Sequence, residues 1–463
     1  MRTINIGGKK IICDDGENLY KALLRGGINF NASCGGVGTC GKCYVDIDGV
    51  GRVKACQYSV KEDIALSLSV QKIEALTKGM LRDVKADNKA ACIAADIGTT
   101  TVVAYLIKDG KIKDAISSVN SQKPYGDDVI TRIKYTIDNE DGTDRLHSLI
   151  KNQIKQMVSE LSERNGALVS DMAIVGNTTM LHLFAGVSPA SMGVAPYTPK
   201  FTELKKIGNA TLLPSLSAYV GADTVAAILA SGMHLSDKKC LLIDIGTNGE
   251  IALGNRDKII TCSAAAGPAF EGAQISCGTG GVAGAIDSVK INGGITYTTI
   301  GGLPPVGICG SGILDTVAQM LKAGHIDSSG YFEDEILYIA DGVSITANDI
   351  RQVQLAKAAI AAGIGTLVEL SKTDLSEIEV CYLAGGFGSF LNKQSACDIG
   401  LIPKELLDRV VPIGNAAGMG AVLWSVSDEC KKEVQGITDK AEYFELSESS
   451  IFNRLFIENM AFE

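Results

Sequence analysis

Basic residues are in short supply in this 463-residue chain, with 43 Lys and Arg against 53 Asp and Glu and a formal net charge of −10. A nucleic-acid surface needs clustered Lys and Arg to neutralise phosphates, so that class of partner is not expected. The opening MRTINIGGKKIICDDGENLY lacks an apolar core of signal-peptide length, and a cytoplasmic protein is expected. No membrane span is expected either. The most apolar long stretch, Leu355 to Leu370, is shorter than the roughly 20 residues a span needs, carries Lys357, and reads as a buried helix. Histidine is scarce and scattered, at 147, 182, 234 and 325, with no ligand spacing, and no nucleophilic triad is suggested.

Disorder is excluded too: 46% of residues are hydrophobic and 21% charged, as in globular proteins. The length predicts about three units. Thirteen cysteines in a reducing compartment do not imply a disulfide framework. Most are scattered among apolar or glycine-rich neighbours, where Cys acts as a small hydrophobe. Four are not. Cys34, Cys40, Cys43 and Cys56 fall within 23 positions, interleaved with Gly35, Gly36, Gly38 and Gly41. Four soft thiolates with backbone N–H groups able to wrap around them suit a 2Fe-2S cluster. Zinc is the alternative, but its sites normally pair two short knuckles, whereas Cys56 stands alone.

Strand patterns at Thr3 to Ile6, Lys10 to Cys13 and Tyr44 to Ile47, a helix over Asn18 to Leu24 and a hairpin turn at Asp48-Gly49 predict a small β-grasp domain, with Leu66 to Val70 closing its sheet. Thr77 to Lys89 is charged and reads as a linker. Beyond it, IAADIGTTTVVAYLIKDGKIKDAIS is repeated in layout 148 positions later by CLLIDIGTNGEIALGNRDKIITCS, each a strand, Asp-Ile-Gly-Thr, and two further strands. Such a repeat is a domain duplication. The expected units are 1–76, 77–90, 91–238 and 239–463.

The duplicated turns resemble the two phosphate loops of the sugar-kinase, actin and heat-shock superfamily. The resemblance implies that Asp96 and Asp244 hold the waters of Mg²⁺ as the catalytic carboxylates. It further implies that Gly98, Thr99, Thr100, Gly246, Thr247, Asn248 and Gly249 approach ATP phosphates. The later Ala384-Gly385-Gly386-Phe387-Gly388 resembles the adenosine-contacting turn, placing Gly385, Gly386 and Gly388 against the nucleoside. Gly310 and Ser311 open a predicted helix and offer N–H groups to an anion. Gly176 to Thr179 makes the same offer. Asp223 and the Gly414 to Gly418 run fit equally a ligand or simple helix starts. Thr346 and Asp349 form a capping box, and Lys357 is a candidate to reach the nucleotide. Asp127, Asp128, Glu250 and Glu271 are each candidates to orient a water.

Together, AADIGTTT, PYGDD, GNTTM, GADT, DIGTNGE, AAGPAFEG, GICGSGILD, LAGGFG and GNAAGMGA resemble the ATP-dependent reductive activators of corrinoid-dependent methyltransferases over nearly the whole chain. That resemblance implies a 2Fe-2S ferredoxin-like domain fused to a duplicated actin-like, ribonuclease H-like ATPase, an α/β and α+β multidomain chain. The implied cofactors are a 2Fe-2S cluster on the four cysteines, ATP and Mg²⁺. The implied activity is one-electron reduction of a corrinoid protein from Co(II) to Co(I), fed by an upstream low-potential donor; a homodimer is the assembly to be tested. Alternatives are an activator of another low-potential enzyme, a cluster-regulated small-molecule kinase, and an ATP-gated redox sensor. The gap between Cys43 and Cys56 is shorter than in the ferredoxins the cysteine trio resembles.

Overall fold

The computed structural model describes residues 1–26, 28, 43–67 and 77–462. Burial alternates along Tyr44–Ile47, the mark of a strand with one wet face. It belongs to a five-stranded sheet ordered Lys9–Cys13, Arg2–Ile6, Ile64–Ser67, Tyr44–Ile47, Gly51–Lys54. The expected Asp48-Gly49 turn joins the last two in space, with Gly49 at φ 78°. Helix Leu19–Arg25, capped by the Asn18 side chain, buries Leu19, Ala22 and Leu23 into the same core as Ile4, Val45 and Ile47. This is the β-grasp arrangement. The closing strand is Ile64–Ser67, in the middle of the sheet rather than at its edge, while positions 68–70 lie outside the described residues.

Two six-stranded sheets follow, built alike. In the first, the meander Cys92–Ile97, Thr101–Lys108, Lys111–Val119 runs antiparallel, and Asp171–Gly176 lies parallel to its first strand. In the second, Lys239–Ile245, Gly249–Gly254 and Ile259–Ala264 form the meander and Ile378–Ala384 the parallel neighbour. The leading strands are buried almost throughout, as strands covered on both faces must be. Asp96 and Asp244 occupy the same place in each, next to last on the leading strand.

The halves meet where helix Ala222–Ser231 crosses helix Ala416–Val426. The first is rich in Ala and the second in Ala and Gly, so their backbones come together. A methyl on Gly420 would stand 2.0 Å from the Ala226 carbonyl oxygen. Because that obstacle is backbone, Gly420→Ala should cost about 1–3 kcal/mol through overpacking, visible as a lowered urea midpoint.

Helix Ala347–Leu370 opens with the predicted Thr346–Asp349 capping box. It is long and apolar enough to cross a membrane, yet 67% of its apolar window is buried in this fold. Lys357 lies within it, fully buried, its Nζ donating to Ala461 O and standing 5.4 Å from the Phe462 ring centre. It does not reach the nucleotide cleft, because the helix turns that face toward the C-terminal segment.

The segment read as a linker is bound along its length. Met80 N donates to Ile413 O at 2.9 Å, Asn415 N to Lys78 O at 3.1 Å, and the amides of Asp87 and Asn88 to Val426 O at 2.8 and 3.0 Å. Arg82 pairs with Glu433, which also faces His234 Nε2 at 3.0 Å. Two of its charges face this seam, Arg82 through Glu433 and Asp87 by accepting Asp428 N at 3.2 Å, while Lys78, Asp83, Lys85 and Lys89 are exposed.

Candidate functional site: an acidic cleft and a thiol pair

The leading strands of the two halves end at a shared cavity of about 1450 Å³, lined by both Asp-Ile-Gly-Thr loops. Its walls include Asp96, Gly98, Thr99, Thr100, Asp244, Gly246, Thr247, Asn248, Gly310, Ser311, Gly385 and Gly386, all singled out from sequence. Two expected members are elsewhere. Gly249 begins a buried strand, where a methyl would stand 2.9 Å from Ile360 Cγ1, and Gly388 seats its helix on Leu383. Their lack of a side chain serves packing. The expected adenosine turn is itself a short helix, Gly385–Phe390, and Gly385 has φ 84° with Asp244 Oδ1 2.6 Å from where its Cβ would be. Only glycine fits that contact.

The first loop is pinned from two sides. Asn120 Nδ2 donates to Gly98 O at 2.8 Å, and Asn177 Nδ2 donates to Thr99 Oγ1 at 2.9 Å. Buried Arg132 donates to Thr99 O and Gly126 O, and burial pulls its pKa down to about 10. Asp127 lines the cleft with Oδ1 buried and unpartnered in the protein, as a group that faces a ligand would be. Gly310 and Ser311 begin helix Gly310–Ala323, whose free N–H groups face the same space.

Four carboxylates, Asp96, Asp223, Asp244 and Glu250, gather in this wall. Burial, then the charges of Asp223 and Asp244, push Asp96 up to about 7, with the Asn415 side chain opposing the rise. Burial and Asp223 push Asp244 up to about 7, and burial raises Asp223 to about 6. Glu250 is raised well above its usual range by burial, then by Asp223 and Asp244. Such a cluster is costly without a cation, which makes the wall a fitting place for Mg²⁺ and its waters. These groups hold more protons folded than unfolded, so they stabilise the metal-free fold below about pH 4 and that contribution is lost as pH rises through about 7. Thermal melting without Mg²⁺ should therefore show stability falling across this window, and Mg²⁺ should restore it most at the alkaline end.

In the sequence, Asp223 and Asn415 fit a ligand or a helix start equally, and Glu250 is one of four candidates to orient a water. A signal for Glu250 was present: in the hairpin register it pairs directly with Asp244, so both side chains leave the same face. Among the four water-orienting candidates, Asp127, Glu250 and Glu271 line the cavity, whereas Asp128 caps helix Val129–Asp138.

In the β-grasp domain, Cys43 and Cys56 bring their Sγ atoms to 3.0 Å, beyond a disulfide bond of about 2.05 Å. Ala55 N donates to Cys43 O and Asn18 Nδ2 to Cys56 O, both at 2.8 Å, fixing the two backbones. Cys34 and Cys40 lie outside the described residues. Two thiols converging at one end of a β-grasp sheet fit half of a four-thiolate donor set. This domain meets the first half at the cleft: Tyr20 Oη donates to Pro124 O at 2.8 Å, and Tyr44 and Arg52 line the same cavity as Pro124.

Fold and site together define a ferredoxin-like domain seated on a two-halved actin-like ATPase. Family models match in the same order: a 2Fe-2S iron-sulfur cluster binding domain over residues 1–69, the RACo middle region over 91–236, and the C-terminal ASKHA domain of RACo over 238–463. The chain is 35% identical to the corrinoid activation enzyme RamQ of Eubacterium limosum, an alignment covering 80% of this chain and 70% of that one. It is 27% identical to the Co(II) methylated amine-specific corrinoid protein reductase of Methanosarcina barkeri, covering 79% and 76%. A solved reductive activator for a corrinoid, iron-sulfur protein superposes with TM-score 0.73 at 28% identity, covering 100% of this chain and 98% of that one. The chain belongs to the RACo family of reductive activators of corrinoid proteins.

Proposed function

We propose that this chain uses ATP to reduce the cobalt of a corrinoid protein by one electron, from Co(II) to Co(I). The observation that carries the proposal is the contact of the thiol-bearing domain with the nucleotide cleft through Tyr20 and Pro124, which puts electron storage and ATP binding in one mechanical unit. The names of the relatives agree with it. A 2Fe-2S cluster on Cys34, Cys40, Cys43 and Cys56 would supply a one-electron donor, and MgATP between the two halves the driving force. We assign the division of labour to residues 1–76 for the electron, 77–90 for the connection, and 91–238 and 239–463 for the nucleotide. Asp96 and Asp244 hold the metal's waters. The turns of Gly98 to Thr100 and Gly246 to Asn248 take the phosphates, Gly310 and Ser311 offer N–H groups, and Gly385 and Gly386 leave room for the nucleoside.

Co(II) corrinoids accept electrons only at very low potential, so transfer from a ferredoxin-type donor runs uphill. A 10⁴-fold shift of a two-state equilibrium is worth about 5.5 kcal/mol, equivalent for one electron to about 240 mV at about 59 mV per decade. Closure of the acidic cleft on MgATP, transmitted to a docked corrinoid protein, is the proposed source of such a shift. An upstream low-potential reductant and a thiol-preserving cytoplasmic setting complete the picture. The test is a visible spectrum of a Co(II) corrinoid protein mixed with this chain and a fixed reductant. Co(I) absorption should accumulate with MgATP; equal Co(I) formation without ATP would refute the coupling, and phosphoryl transfer to acetate or sugars would point to a kinase.

A further inference from the structure

We propose that Glu271 is a positioning residue that makes the two phosphate loops act as one. Its Oε2 accepts the Thr100 hydroxyl of the first half at 3.2 Å and the Thr247 hydroxyl of the second half at 3.0 Å. The inference rests on the reading of the cleft as an ATPase site. It adds a role that neither the duplicated motif nor the family match assigns.

The clasp breaks the symmetry of the duplication. Thr247 corresponds to Thr99, the residue after the glycine in each loop, yet Thr99 is held within its own half by Asn177. Thr100, one residue on, reaches across to Glu271 instead. The contact therefore spans the cleft from the first half's loop to the second half, beside both Asp-Ile-Gly-Thr turns. One carboxylate of the second half thus ties the two phosphate loops together.

Glu271 is well prepared for this work. It ends the short turn Pro268–Glu271, bounded by Gly267 at φ 73° and Gly272 at φ 76°, and the adjacent Phe270 stacks on Phe387 with ring centres 5.0 Å apart. A hydroxyl has one proton and two lone pairs. With both protons given to Glu271, the Thr100 and Thr247 hydroxyls keep only lone pairs for the cleft, suited to a divalent cation or its waters, and the phosphates are left to the backbone N–H groups of the same turns. Burial raises the carboxyl pKa, while the two threonines and Lys123 counter that rise. Closure and correct hydroxyl orientation thus depend on one side chain.

The experiment is a double-mutant cycle on steady-state ATP hydrolysis by the full-length, cluster-loaded protein, using Glu271→Ala, Glu271→Gln, Thr100→Val and Thr247→Val. Glu271→Ala should lower kcat about tenfold or more, while KM for ATP moves little. Thr100→Val should cost several-fold alone and almost nothing further beside Glu271→Ala, and Thr247→Val should behave likewise. Glu271→Gln keeps an oxygen able to accept both hydroxyls and should retain most of kcat; it also serves if the alanine variant folds poorly. Additive losses in the cycle, or a glutamine variant as impaired as alanine, would overturn the clasp. A wild-type protein that neither bound nor hydrolysed ATP would instead sink the ATPase reading, and the clasp with it.

Discussion

Replacing Cys56 with serine is expected to abolish electron delivery while leaving ATP binding near that of the unsubstituted protein. The Sγ atoms of Cys43 and Cys56 sit 3.0 Å apart on backbones fixed by Ala55 and Asn18, so loss of one thiolate cannot be made good by a neighbour shifting into place. Partners beyond the ligand shell already change metal affinity by about 10- to 100-fold, and removal of a ligand itself should exceed that. The signatures are loss of the cluster's visible absorption and of its paramagnetic signal after reduction, with Co(I) formation falling to background. The residues proposed to hold metal and phosphate all lie beyond position 90, away from this cysteine in the chain. A Cys56→Ser protein that retained a full cluster and full activity would remove this cysteine from the donor set.

Asp244→Asn should be the most damaging single change in the cleft, lowering ATP turnover by roughly 100-fold or more, the scale seen when one preorganised electrostatic group is removed from a transition state. The same change should stabilise the metal-free fold. Asp244 raises the pKa of both Asp96 and Glu250 by its charge, so neutralising it relieves repulsion in a buried cluster. Higher melting temperature, weaker Mg²⁺ response and lost turnover in one variant would be the pattern of a site kept strained for function. Unchanged turnover would move the metal to the Asp96 side of the cleft.

Much of this was legible in the sequence, for a definite reason. The two Asp-Ile-Gly-Thr turns follow apolar strands and precede matching meanders, so local pattern and duplication pointed the same way. The β-grasp order was readable from period-two alternation and the Asp48-Gly49 turn. The rest depends on contacts between distant segments. The Asn415 side chain hydrogen-bonds Asp96, countering the rise in its pKa, and donates to Tyr105 Oη at 3.1 Å, a meeting across more than 300 positions that no spacing rule encodes. Glu271 is a similar case, because its partners lie on both loops. Lys357 misled for the opposite reason: a charged residue on an apolar helix suggests a ligand, but its long stem let the ammonium reach a backbone carbonyl at the C-terminus.

The bound connector also sets a radius. Lys78 is held by Asn415, and the last strand of the β-grasp domain ends at Ser67. At the length of a fully extended chain, the intervening residues span at most about 40 Å. Released from Pro124, the domain's attachment point at Ser67 can move no farther than that from an anchor beside the cleft, so a corrinoid protein must bring its cobalt within this radius plus the breadth of the domain itself. Lengthening the chain between Ser67 and Lys78 would enlarge the sphere and dilute the donor within it, as the cube of its radius.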